Sequence, residues 1–337
     1  MSINSSLEER CYRILEEKGG QVADEARTIL LKEESLTVLQ HPLRYIPGNW
    51  RDPFTPSMVT LSCEAVGGKP GDATYQAALA MALMNLSFCL WDDIVDKTVY
   101  KGFVPTVLGK FGEGVTLMIG GLASAKAFSI LGEMKVNETE RRTITKLVWD
   151  YWSKLAKAEA TNLELKRRSD VKPEEKLNVI EMQAVSLEIS LKIGAVLGNS
   201  SEDEMERLGN YGRYLGTILD LAKDFKSSVN LTLELAERIR RGAFPYTLLW
   251  ARNHSKKIRQ RLPLLTNAIN PIDIRKIVEA VLETKALENT MKLLNTLTQK
   301  GEAELSELKN NQPARTLKFL LEAQTGMFRE SLSAFEF

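Results

Sequence analysis

The chain of 337 residues has only two histidines, His41 and His254, and three cysteines, Cys11, Cys63 and Cys89. So few imidazoles argue against a histidine-based metal centre and against a Ser/His/Asp triad, although one histidine is enough to serve a triad. The cysteines show no CxxC spacing and leave an odd one out, which fits reduced thiols in a cytoplasmic protein. Charge of one sign is lacking too. With 45 Lys and Arg against 44 Asp and Glu, the net charge of +1 gives no global case for nucleic acid or an anionic membrane surface. Long unbroken apolar runs are absent. Val115 to Leu131 is interrupted by Gly120-Gly121 and Lys126, and Met1 to Gly20 has no apolar signal core, so no membrane span or leader is expected. Strand alternation, internal repeats and low-complexity tracts are missing as well, which predicts one all-α domain over residues 1–337.

What is present is helical periodicity. An amphipathic opening helix is expected over Ser6–Lys32, interrupted near Gly19-Gly20, followed by a proline-rich loop over His41–Pro56. Further helices are expected over Ser57–Val66, from Ala73 into Asp92, and over Thr106–Gly132, Glu138–Arg168, Pro173–Leu197 and Glu202–Val229, with shorter ones after Leu231.

The chemistry gathers at Leu90-Trp91-Asp92-Asp93-Ile94-Val95-Asp96, which ends the Ala/Leu/Met-rich run that begins near Asp72. On a helix Asp92 and Asp96 lie one turn apart on one face, with Asp93 three residues from Asp96. Three crowded carboxylates repel unless a cation sits among them, and magnesium prefers such oxygens. A solvated acidic helix end is the plain alternative. The nearly uncharged helix that leads into the cluster favours the metal.

A second acidic stripe follows. Asp220, Asp224 and Ser228 are spaced i, i+4, i+8, flanked by Lys223 and Lys226. A solvated face with Lys/Asp pairs is the plain alternative, but Asp220 interrupts the apolar neighbours Leu219 and Leu221, where an unpartnered carboxylate is expensive.

These stretches resemble the trans-isoprenoid diphosphate synthase and class I terpene synthase superfamily, over about Gly48 to Trp250. Asp92-Asp93-Ile94-Val95-Asp96 is similar to the first aspartate-rich motif. Leu61–Gly68, Pro105–Gly112 and Gly209–Gly216 resemble its surroundings and the approach to the second motif. The resemblance implies a helical bundle around a deep apolar pocket. It further implies three magnesium ions that hold the diphosphate of a prenyl substrate, and a possible homodimer.

The departures decide the expected chemistry. The cationic anchors of chain-elongating synthases correspond here to Gly48-Asn49-Trp50-Arg51-Asp52, Tyr100-Lys101 and Met182-Gln183, and several are missing. One diphosphate with three metal ions needs fewer such partners than two. The expectation is therefore a class I terpene synthase that ionises a C15 or C20 allylic diphosphate. A prenyl elongase, or a non-catalytic subunit of one, is the alternative. Asp92, Asp93, Asp96, Asp220, Asp224 and Ser228 would ligate metal, and Arg51, Lys101, Lys223 and Lys226 would contact the diphosphate. Phe88, Trp91 and Phe225, with Tyr211 and Trp152 as further aromatics, would line the pocket.

Overall fold

Good helix formers at helical spacing turn almost the whole chain into α-helix. The structure, a computed structural model, describes residues 3–32, 34–229, 233–262 and 271–333. The chain divides into two compact units, one of residues 1–147, 189–209 and 306–317, the other of 148–188, 210–305 and 318–337.

The first unit opens with α1 (Ile3–Leu15), a π-helical turn at Glu16–Gly20 and α2 (Gln21–Ala26). After two 3-10 turns come α3 (Gln40–Asn49), α4 (Phe54–Ala65) and α5 (Asp72–Val95). A two-stranded hairpin pairs Tyr100-Lys101 with Val104-Pro105, and α6 (Val107–Phe111), α7 (Glu113–Glu133) and the start of α8 (Glu138–Lys166) follow. Helix α5 is the core of this unit. Ala77 through Met84 are buried without a break, and the small alanines let α4 and α7 approach closely. Ser87 Oγ donates to the Gly120 carbonyl on α7 at 2.8 Å. The Trp91 indole fills the space over Gly120, where a Cβ would come within 2.4 Å of Nε1. The glycine pair that breaks the apolar run of α7 is thus a packing notch. By length and composition α5 and α7 are each long and apolar enough to cross a membrane, but 61% of the apolar window of α5 is buried within the fold.

The second unit holds the rest of α8, α9 (Pro173–Gln183), the start of α10 (Val185–Leu197) and most of α11 (Glu202–Val229). It continues with α12 (Leu233–Arg240), α13 (Tyr246–His254), α14 (Lys256–Arg261), α15 (Pro271–Leu282), α16 (Ala286–Ser306) and the end of α17 (Gln312–Ser333). Val179, Ile239, Leu248, Leu249, Ile277 and Val281 pack together in its core.

Several boundaries differ from the sequence reading; the opening helix ends at Ala26, not Lys32, and α16 and α17 run to 21 and 22 residues where shorter helices are expected. The proline-rich stretch expected as a loop contains α3: Pro42 lies in the first helical turn, where an N–H has no intrahelical acceptor, and Pro47 lies inside the helix near its end, where it forfeits one intrahelical bond. Gly112, at φ +81°, separates α6 from α7, and a break at Ala184 separates α9 from α10.

Candidate active site

Helix α5 delivers the first aspartate cluster. Asp92 and Asp96, both half-buried, bring carboxylate oxygens within 4.8 Å of each other. An all-oxygen pair at that spacing fits a hard divalent cation. Asp93 points differently. It is only 4% exposed, and its Oδ1 lies 2.8 Å from Lys101 Nζ. The hairpin Tyr100–Pro105 carries that lysine back to the helix end. Thr106 Oγ1 donates to the Thr98 carbonyl at 2.7 Å and anchors the hairpin's return strand. Burial pulls the Lys101 ammonium down, but Asp93 and, more weakly, Asp92 outweigh it, so the lysine is held above its ordinary range.

Beside this cluster the first unit holds a half-open cavity of about 400 Å³, lined among others by Arg27, Asn49, Arg51, Asp93, Lys101 and Thr106, with Leu86 and Leu90 as apolar wall. Arg51 borders it but is heavily engaged. Its Nε donates to Asp24 at 2.8 Å, and Nη1 and Nη2 to Glu16, which holds the guanidinium above its usual range. Asp52 does not confront the cavity as a bare charge. It accepts from the N–H groups of Phe54 and Thr55 at the start of α4, at 2.9 and 3.1 Å, and from Asn85 Nδ2 at 2.7 Å. Arg27 was missed by the sequence reading. It caps the short α2 in a segment with no motif, and only tertiary structure brings it to the cavity wall.

On α11 the stripe divides. Asp224 is buried and both of its oxygens are engaged: Arg238 Nη2 donates to Oδ1 and the Tyr246 N–H to Oδ2, each at 2.5 Å. Asp220 is half-buried. Burial, relieved by Lys223 and Lys176 and reinforced by Asp224, pushes its carboxyl up to about 6. Lys223 and Lys226 are exposed, and the side chain of Ser228 lies outside the described residues. Phe225 is fully buried edge-on to Phe328, with centroids 4.7 Å apart, while Trp91 is the α7 packing residue described above. Tyr211 is buried, and Trp152 meets Tyr151 edge-on at 5.1 Å. Phe88 is half-buried one turn before Asp92.

The raised carboxyl of Asp220 makes a pH-dependent prediction. Folding tightens its hold on a proton, so its contribution to stability is present below about pH 4 and is lost as pH rises through 6. In metal-free protein Asp220→Asn is expected to stabilise by about 2–3 kcal/mol at pH 8, shrinking to about 1 kcal/mol or less at pH 4.5. Urea unfolding at the two pH values measures it, and equal effects at both would remove the desolvated-carboxylate account.

Residues 37–270 match the family model for polyprenyl synthetase. The short chain isoprenyl diphosphate synthase of Methanothermobacter thermautotrophicus is 31% identical over 176 residues, 52% of this chain and 54% of that protein. The chain therefore matches about half the length of that relative. The octaprenyl diphosphate synthase of Escherichia coli is 24% identical over 247 residues, covering 71% of this chain and 73% of that one. Two solved structures share the fold. The geranylgeranyl pyrophosphate synthetase of Pyrococcus horikoshii superposes with a TM-score of 0.83 at 22% identity, covering 94% of this chain and 98% of that one. The polyprenyl synthase of Caulobacter crescentus, crystallised with calcium and isoprenyl diphosphate, also gives 0.83, at 18% identity over 94% and 97%. These findings bear out the all-α isoprenoid synthase fold and overturn the expected terpene synthase and its lyase chemistry, since the relatives are named for making prenyl diphosphates. The physical reason is visible in the cavity. The missing anchors in Gly48–Asp52 were weighed by residue type alone, whereas the carboxylate of Asp52 is absorbed by the start of α4 and Lys101 and Arg27 line the cavity wall.

Proposed function

Because the chain belongs to the polyprenyl synthetase family, we propose that it is a divalent-metal-dependent prenyl diphosphate synthase, a transferase that joins isopentenyl diphosphate to an allylic diphosphate. The observation that carries this reading is the cavity of about 400 Å³ beside the aspartate-bearing end of α5, with Lys101 and Arg27 on its wall. It offers cationic contacts for a second anionic substrate, which a cyclase does not use.

In this reading Asp92 and Asp96 bind magnesium, and Asp220 binds a further ion, three in all as the family resemblance implies. Bound there, the metal supplies charge neutralisation for the departing diphosphate. Lys101, oriented by Asp93, contacts phosphate oxygens, and Lys223 and Lys226 are exposed contacts on α11. The wall of Leu86 and Leu90 keeps water from the allylic carbon while the isopentenyl double bond attacks it. The C–O bond of the allylic diphosphate breaks, a C–C bond forms, and a proton is lost from the isopentenyl unit. Phe88 sits one turn deeper than Asp92 and limits the length of chain accommodated.

Radiolabelled isopentenyl diphosphate, incubated with the protein, magnesium and each of dimethylallyl, geranyl and farnesyl diphosphate, is expected to enter a longer prenyl diphosphate. Release of pyrophosphate and a hydrocarbon without incorporation of label would refute the transferase.

A further inference from the structure

We propose that the hairpin Tyr100–Pro105 is a docking point for an anionic lipid bilayer, with Phe103 as its apolar anchor. The proposal stands apart from the transferase reading, because it concerns the exposed tip of the hairpin. Two-residue hairpin turns favour Gly, Asn and Asp. The pairing of Lys101 with Val104 leaves Gly102 and Phe103 as the turn, and Gly102, at φ +62°, makes it possible. The other turn position carries a phenyl ring. Among the described residues Phe103 is the most exposed large apolar side chain, lying fully in water. Val99, Tyr100 and Val104 around it are 43%, 58% and 46% exposed. The tip is not a loose end. Thr106 Oγ1 donates to the Thr98 carbonyl at 2.7 Å, the Thr106 N–H to the Val99 carbonyl at 3.0 Å, and the Tyr45 hydroxyl to the Pro105 carbonyl at 2.7 Å. A braced base thus holds four apolar side chains out in solvent.

Size and charge together select what covers them. An aromatic side chain buries about 150–250 Å². Two of these and two half-exposed valines fall short of the roughly 800 Å² per partner that a stable protein interface takes. A bilayer asks for no complementary shape and accepts an aromatic tip at the level of its headgroups. Charge points the same way. The whole chain carries only +1, yet α3 and residues 97–112 hold Arg44, Lys97, Lys101 and Lys110 and no acid. Lys101 is taken by Asp93, whereas Arg44, Lys97 and Lys110 are exposed. Lys110 Nζ lies 3.9 Å over the ring of Tyr45, the residue that ties α3 to the hairpin, so this cation stands at the hairpin's base. Of the other neighbouring acids, Asp92 and Asp96 are half-buried at the end of α5, and Glu113 lies in the first turn of α7. Cations beside an apolar tip favour anionic headgroups over neutral ones.

Co-sedimentation of the full chain with large unilamellar vesicles, in magnesium buffer at low salt, tests this. The protein is expected to bind mixed phosphatidylcholine/phosphatidylglycerol vesicles at least about tenfold more tightly than phosphatidylcholine alone, and to lose that preference at high salt. Phe103→Ser is expected to weaken binding to the mixed vesicles about tenfold or more. Its melting temperature should match wild type, since the side chain lies fully in water. Phe103→Trp should keep wild-type binding, because an indole suits the headgroup level as well. The double variant Arg44→Gln/Lys97→Gln should lose affinity for the anionic vesicles and leave the weak binding to neutral ones unchanged. Binding that ignores Phe103, or that is equal on neutral and anionic vesicles, overturns the proposal. So does a dimer, seen by sedimentation velocity, that Phe103→Ser dissolves, because the tip then belongs to a second copy of the chain.

Discussion

Asp92→Asn is expected to lower turnover at least about a thousandfold and leave the fold intact. Several kcal/mol of stabilisation of the departing diphosphate are at stake, and each 1.36 kcal/mol is a factor of ten in rate. The amide keeps the shape of the carboxylate and loses the charge that a hard cation requires. Asp96→Asn should behave alike, since the two side chains present oxygens within 4.8 Å of each other. Helical circular dichroism and the melting temperature should match wild type, because a half-buried acid at a helix end contributes little to packing. EDTA should abolish turnover and added magnesium restore it. Retained activity in either variant would end the metal assignment.

Asp224→Ala is expected to act on stability instead, by about 3–5 kcal/mol. The substitution takes the Nη2 partner from Arg238, whose Nε keeps the Ala243 carbonyl, and leaves the buried N–H of Tyr246 without its carboxylate. The Tyr246 N–H contact is buried, so the larger part of the loss falls there. Urea unfolding of Asp224→Ala, Arg238→Met and the double variant would measure it. The double variant should be more stable than the sum of the single losses implies, because neither partner is then left alone. A small loss for Asp224→Ala, under about 1 kcal/mol, would mean that the pair is a solvated contact.

Helices and the first aspartate cluster were legible because both are local. The Ala77–Met84 run and the Asp92/Asp96 spacing are read within a few turns of one helix. The same logic failed for α3, where proline content was weighed without asking which helical turn each proline occupies. It could not see the partners of Asp224, which arrive 14 and 22 residues later from α12 and α13. Spacing alone made Asp224 equivalent to Asp220, whereas burial and pairing give them different work. The cyclase expectation failed in a related way. It compared charges at fixed motif positions, while the cavity draws a guanidinium from the end of α2, 24 residues before Arg51.

The π-helical turn at Glu16–Gly20 has a consequence for how such a sequence can drift. Its extra residue lets Gly19 sit against α4, where a Cβ would come within 2.5 Å of the Pro53 carbonyl, and it presents Glu16 to Arg51. Position 19 is therefore closed to every larger side chain, and positions 16, 24 and 51 form one electrostatic unit. Among homologues that keep the turn, an acid should vanish from 16 or 24 only where the arginine at 51 vanishes too. Homologues that straighten the turn by losing one residue should be free to vary at all three.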